Sequence, residues 1–264
     1  VEIVETSCEK IIQPCNLAYF KHELGPYVGC EHRCRYCYTQ NDPEVDWDTQ
    51  VAVFPDFRKR ISRELDGIEP QLVFVGMDTD PYQPIEGECR HTRIALEEMA
   101  KRNFSASILT KSEMVIRDLD LLATMRKPEI GISVSFTEEG VRRIFERSSG
   151  PNEARVEALA AAKRAGIETY VLISPVMPLI TDVDALIDTL QPVADNIWVY
   201  SLDIKSREAR NWRQVESILE EHFPNIRDEF AEIAFSPQHT YWQDLRRKLE
   251  TMPARGDLKL EIHV

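Results

Sequence analysis

Gly25-Pro26-Tyr27-Val28-Gly29-Cys30-Glu31-His32-Arg33-Cys34-Arg35-Tyr36-Cys37-Tyr38 is the stretch that decides how the rest of the chain is read. Three of the six cysteines fall within eight residues, spaced Cys-x3-Cys-x2-Cys. The opening Val1 to Lys10 has neither a basic start nor an apolar run, so no secretory signal is expected there. Crowded cysteines in such a chain read as metal ligands rather than disulfides, and a cytoplasmic protein is expected.

Thiolates are soft donors that suit zinc or iron–sulfur clusters. Four protein ligands in two spaced pairs are usual for structural zinc. No second Cys-x2-Cys follows, and a fourth ligand would have to come from His32, Cys8 or Cys15. His32 lies between two of the cysteines, which makes joint chelation awkward. A cubane of four irons held by three cysteines keeps one iron open to another ligand. A zinc module and a non-enzymatic iron–sulfur module stay as alternatives of another class.

Outward from the cysteines, apolar runs alternate with amphipathic segments. Strands are expected at Leu24–Val28, Leu72–Val75, Ala106–Leu109, Ile130–Val134, Thr169–Ile173 and Ile197–Leu202. Helices are expected near Phe57–Leu65, Arg93–Lys101, Val115–Met125, Asn152–Ala165, Val183–Leu190 and Glu208–Glu221. Apolar strands joined by helices imply an α/β fold with a parallel sheet, either an open doubly wound sheet or a partial barrel. Both place their sites beyond the C-terminal ends of the strands. The tail, from about residue 206 to 264, reads as a short helical and strand cap on a single domain, with Leu258–Val264 alternating like a half-buried strand.

Composition narrows the partners. The 264 residues carry 32 Lys plus Arg against 45 Asp plus Glu, a formal charge of −13, and 43% are hydrophobic. Such a surface repels a phosphate backbone unless the basic residues gather in one groove. No stretch reaches the ~20 apolar residues of a membrane span.

Cys-x3-Cys-x-aromatic-Cys, with Tyr36 as the aromatic, resembles the signature of the radical S-adenosylmethionine (SAM) superfamily. The wider string is similar to its spore photoproduct lyase-like branch, often labelled DNA repair photolyase-related. Thr79-Asp80-Pro81-Tyr82-Gln83-Pro84-Ile85-Glu86 follows the second strand as in that branch, and Thr110-Lys111-Ser112 follows the third. Ser133-Val134-Ser135 ends the fourth, and Ser174-Pro175-Val176-Met177-Pro178 follows the fifth. The resemblance spans roughly residues 20 to 205.

The resemblance implies a partial (βα)6 barrel, a [4Fe–4S] cluster on Cys30, Cys34 and Cys37, and reductive cleavage of SAM to a 5′-deoxyadenosyl radical. It implies an electron donor such as flavodoxin or ferredoxin. Tyr36 is similar to the residue beside the adenine, and Tyr38 extends that wall. Asp78 and Thr79 stand where the family holds the SAM amino group, and an ammonium there needs acceptors. Asp80 is the alternative, as a cap on the turn at Pro81. Lys111 matches a lysine that pairs with the SAM carboxylate. Ser133 and Ser135 share one side of a strand and are candidates for the ribose or carboxylate. Glu146 and Arg155 match a recurring pair, or else form an ordinary surface pair.

One departure bears on the substrate. Spore photoproduct lyase uses a cysteine as hydrogen donor where this chain has Met77, and a thioether has no S–H to give. Cys89 would substitute only if its loop folds back. Cys8 and Cys15 read as buried small hydrophobes. A small molecule, peptide or protein is therefore the favoured substrate class. Nucleic-acid lesion repair is the alternative. It would need a basic groove from Arg207, Arg210, Arg213, Arg246, Arg247 and Lys248, with stacking from Trp212 or Trp242.

Overall fold

The computed structural model describes residues 1–8, 10–252 and 258–264. Residues 253–257 of the expected C-terminal cap lie outside the described residues. Along the chain come β1 (Glu2–Glu5), β2 (Ile12–Pro14), β3 (His22–Leu24), β4 (Gln50–Val53), α1 (Phe57–Asp66) and β5 (Leu72–Val75). Next are α2 (Glu86–Cys89), α3 (His91–Lys101), β6 (Ser105–Thr110), α4 (Leu119–Leu122), β7 (Glu129–Ser133), α5 (Glu139–Phe145) and α6 (Asn152–Arg164). The remainder is β8 (Glu168–Val176), α7 (Val183–Leu190), β9 (Asn196–Ser201), α8 (Arg210–His222), α9 (Arg227–Ala234), α10 (Thr240–Glu250) and β10 (Lys259–His263). This is an α/β fold with mostly parallel strand pairing.

The chain forms two compact units. The first comprises Val1–His32, Pro43–Ile132 and Ser149–Thr169, and the second Arg33–Asp42, Ser133–Ser148 and Tyr170–Val264. In the first, β3, β5, β6 and β7 pair in parallel, and β2 adds to β3 antiparallel. A separate parallel pair joins β1 to β4. Val73, Phe74, Val75, Ala106 and Ile108 are all buried, as a parallel strand covered on both faces requires. Phe57, Ile61 and Leu65, spaced four apart on α1, bury one stripe, and α1 packs on α3.

In the second unit, β8, β9 and β10 run in parallel. Its core gathers Phe136, Phe145, Met177, Trp212, Val215, Leu219 and Phe230, with Cys34 and Tyr36 among them. The tail thus does more than cap: β10 adds a strand beside β9, with Leu260 opposite Ile197 and Ile262 opposite Val199.

Two expected elements differ. The strand expected over Leu24–Val28 ends at Leu24, because Pro26 has no N–H for a ladder. Val28 survives only as an isolated antiparallel bridge to Ala52. The helix expected over Val115–Met125 is a 3-10 turn over Glu113–Asp118 followed by α4, and Arg117 and Asp118 are drawn into ion pairs there.

Candidate active site

Cys30 belongs to the first unit, and Cys34 and Cys37 to the second. Gly29 precedes Cys30 at φ +80°, and a Cβ there would sit 2.9 Å from Val45 Cγ2 and 3.2 Å from the Gln50 carbonyl. Only glycine lets the chain turn at this point without strain. The Gly29 carbonyl accepts from Thr79 Oγ1 at 2.6 Å and from Gln83 Nε2 at 3.1 Å. On the other side of Cys30, Glu31 N donates to Gln83 Oε1 at 2.8 Å, and Ile85 N donates to Glu31 Oε2. Both neighbours of Cys30 are thereby pinned to the segment that follows β5.

The same segment fixes His32 and Lys111. Asp80 Oδ2 lies 3.2 Å from His32 Nε2 and accepts from Lys111 N at 2.7 Å. Its Oδ1 accepts from Thr110 Oγ1 at 2.6 Å and from Tyr82 N at 2.9 Å. Asp80 therefore caps its turn as expected of an aspartate before proline, and also joins the cysteine motif to the end of β6. Burial pushes its carboxyl up, but His32, Thr110 and Lys111 N–H outweigh that and hold it at about 2. Glu86, fully buried, takes the phenol of Tyr27, Thr92 N at 2.9 Å and the guanidinium of Arg117.

In the second unit, Gln40 is the organiser that sequence reading missed. Its side chain is buried, and Nε2 donates to the carbonyls of Arg35 at 2.8 Å and Cys37 at 3.0 Å, with Cys34 O at 3.5 Å. Asn211, also fully buried, donates to the carbonyls of Tyr36 at 3.3 Å and Asp203 at 2.9 Å. The phenol of Tyr36 donates to Glu146, and its ring lies 6.4 Å from Phe136. Cys37 Sγ lies 2.6 Å from Thr39 Oγ1. The only hint in the sequence was an amide three residues past the last motif cysteine, with no signal for Asn211.

The other expected residues divide as follows. Thr79 is buried and its hydroxyl is committed to Gly29 O and Gln83, which leaves one lone pair for a further donor. Asp78 is exposed beyond β5. Burial pushes the Glu23 carboxyl up, Cys15 draws it back, and the nearby Asp78 charge adds to the rise, so sequence reading also missed a carboxylate partner for Asp78. Ser133 and Ser135 both donate to the Ser174 carbonyl, at 3.3 and 2.6 Å, which agrees with their shared side. Tyr38 is 39% exposed.

Several alternatives fall away. Glu146 and Arg155 are fully buried, so neither is part of a surface pair. Trp212 and Trp242 are buried, and Trp242 Nε1 donates to Ile233 O, so neither offers a free face for a base. Arg247 pairs with Asp244, and Lys248 with Asp184. Cys89 packs against Tyr27, Val51 and Ile85, and burial followed by Glu88, Glu86 and Glu31 pushes its thiol up.

Three thiols are the donor type that an iron–sulfur group takes, although among the described residues no three His, Cys, Asp or Glu side chains are grouped to hold a single metal ion. The Nε and Nη2 atoms of Arg33, the residue before Cys34 in the chain, are buried with no hydrogen-bond partner in the protein. Buried N–H groups ordinarily find acceptors. A group with three thiolates and bridging sulfides is anionic and rich in acceptors.

The Radical SAM superfamily profile matches residues 24–190. The chain belongs to the radical SAM superfamily. It is a radical SAM enzyme, and its cofactors are a [4Fe–4S] cluster and SAM. An uncharacterized protein of Methanocaldococcus jannaschii is 29% identical over 231 residues, 85% of each chain. Among solved structures, a spore photoproduct lyase variant superposes with a TM-score of 0.70 at 13% identity, over 99% of this chain and 82% of that one. Another spore photoproduct lyase variant, with bound AdoMet and dinucleoside spore photoproduct, gives 0.66 at 15% identity over 99% and 82%. These likenesses establish the radical SAM fold. Among the described residues, no helix is long and apolar enough to cross a membrane.

Proposed function

We propose that Cys30, Cys34 and Cys37 are the cluster ligands of a single radical SAM domain. The observation that carries this reading is that Nε and Nη2 of Arg33, the residue before Cys34 in the chain, are buried with no partner within the protein. A [4Fe–4S] cluster held by these three thiolates would supply the electron for reductive cleavage of SAM, and with it the means to abstract a hydrogen atom from substrate.

The chain's own residues bind and orient. Asp78 and the free lone pair of Thr79 accept from the SAM ammonium, with Glu23 adding negative charge nearby. Lys111 faces the SAM carboxylate as a point charge. Ser133 and Ser135, whose protons go to Ser174 O, offer lone pairs to the ribose. Tyr36 and Tyr38 form the wall along the adenine, with Tyr36 fixed through Glu146.

The substrate in this reading is a small molecule, peptide or protein. The formal charge of −13 and the buried Trp212 and Trp242 support it over duplex DNA. Flavodoxin or ferredoxin supplies the electron, in the reducing cytoplasm that thiolate ligands favour. The test is anaerobic incubation of reconstituted protein with SAM and dithionite. Formation of 5′-deoxyadenosine is expected without any substrate. A protein replete with zinc, yielding none, would point to a binding module.

A further inference from the structure

We infer that the Arg35 side of the cysteine loop is the docking face for a small acidic redox protein, an inference that rests on the radical SAM reading. The second unit carries a surface cavity of about 280 Å³ lined by Arg35, Arg143 and Arg147, with Gln214, Glu221 and His222. Three guanidinium groups meet here in a chain whose formal charge is −13. Arg143 and Arg147 are exposed. Glu139 is shared between Arg142 and Arg143, so one carboxylate serves two cations, and Glu221 is the carboxylate on the facing wall.

The cavity is backed by the cysteine loop itself. Arg35 follows Cys34 directly and precedes Cys37 by two residues. Its backbone N–H donates to Phe145 O at 2.9 Å, which seats the loop on the end of α5. Its guanidinium donates to Gln214 on α8. Adjacent Cα atoms are about 3.8 Å apart, so a partner touching the Arg35 wall is one residue from a ligand cysteine.

A protein fits this face better than a small anion. Ile144 and Ile218 also line the cavity, and apolar contacts rimmed by charge are the anatomy of a transient interface. An acidic donor is repelled by the net negative surface at large and drawn to the three guanidinium groups of this face. At the contact the donor is oxidised by one electron and the metal group on the cysteines is reduced by one. No atom or proton crosses.

The test uses the anaerobic holoenzyme and a bacterial flavodoxin of net negative charge. Binding is measured from low to physiological salt for the native enzyme, the Arg143→Glu/Arg147→Glu variant and the Arg143→Lys/Arg147→Lys variant. Charge reversal is expected to weaken flavodoxin binding by about tenfold or more at low salt and to flatten its salt dependence. Flavodoxin-driven 5′-deoxyadenosine formation falls in step, dithionite-driven formation is unchanged, and the lysine variant behaves as native. Native-like flavodoxin binding by the reversed variant would overturn the inference. So would binding of inorganic phosphate that is lost on reversal while flavodoxin binding is kept. If native enzyme makes no 5′-deoxyadenosine even with dithionite, the parent reading fails and this one with it.

Discussion

His32 Nε2 and Asp80 Oδ2 lie 3.2 Å apart, with side chains only 5% and 7% exposed. The pair links the cysteine motif to Lys111, whose N–H donates to the same Asp80 oxygen. Breaking a buried pair by removing one partner costs about 3 kcal/mol or more. Asp80→Ala is therefore expected to lower urea stability by about 3 kcal/mol. Asp80→Asn keeps the shape and is expected to raise the KM for SAM in uncoupled turnover more than it lowers kcat. Because the folded carboxyl sits at about 2, below its ordinary 3.8, its contribution is complete above about pH 4 and is lost as the pH falls toward 2. An unchanged KM in the Asn variant would argue against a positioning role.

Replacing Cys30, Cys34 or Cys37 singly by Ala should abolish the brown colour and leave little bound iron after reconstitution. Cys8→Ala, Cys15→Ala and Cys89→Ala should load as native, since Cys89 is occupied with Tyr27, Val51 and Ile85. Iron and sulfide analysis decides the matter. Loss of iron in the Cys89 variant alone would require a different ligand set.

Arg33, the residue before Cys34 in the chain, buries its Nε and Nη2 with no partner in the protein. A nearby positive charge favours the reduced, more negative form of an iron–sulfur group. Arg33→Gln is expected to shift the midpoint potential to more negative values by tens of millivolts, and Arg33→Lys by less. An electron-paramagnetic-resonance redox titration measures both. A potential indifferent to the substitution would remove the support that Arg33 lends to the cluster reading.

Away from the site, Glu98 on α3 gathers Arg58, Lys101 and Arg102 at 2.7 to 2.8 Å. Burial pushes its carboxyl up, but Lys101, Arg102 and Arg58 prevail and bring it to about 2. Its stabilisation is present above about pH 4.5 and fades as the pH falls toward 2. Glu98→Gln is expected to cost about 1 kcal/mol at neutral pH and almost nothing near pH 2, read from denaturant melts across pH. A pH-independent loss would assign the effect to packing instead.

The parallel strands were legible because their runs are apolar on both faces: Leu72–Val75 falls where it was expected, and Ala106–Leu109 differs from β6 by one residue at each end. Val183–Leu190 was also legible, its Asp182 side chain capping Ala185 N as an N-cap should. The short strands β1, β2 and β4 were not, since three or four residues carry too little periodicity to register. At the site, the cysteines and the Thr79–Glu86 segment announced themselves by spacing. Gln40 and Asn211 did not, because each works through its amide on backbone carbonyls, and any sequence offers carbonyls everywhere. The surface-pair reading of Glu146 failed for a related reason: charge alone does not reveal whether a carboxylate has a buried phenol to receive.

The Asn211 bond to the Tyr36 carbonyl closes a separation of 175 residues. During synthesis, at roughly 5–20 residues per second, the thiols emerge well before the helix that holds the Tyr36 carbonyl between them. A nascent chain that has passed Cys37 but not reached α8 carries metal-binding groups without their final scaffold. Iron loaded at that point would bind a pliable loop, so correct maturation belongs after α8 has emerged and folded, and a chain truncated ahead of Asn211 should be a poor recipient in any cluster-transfer assay.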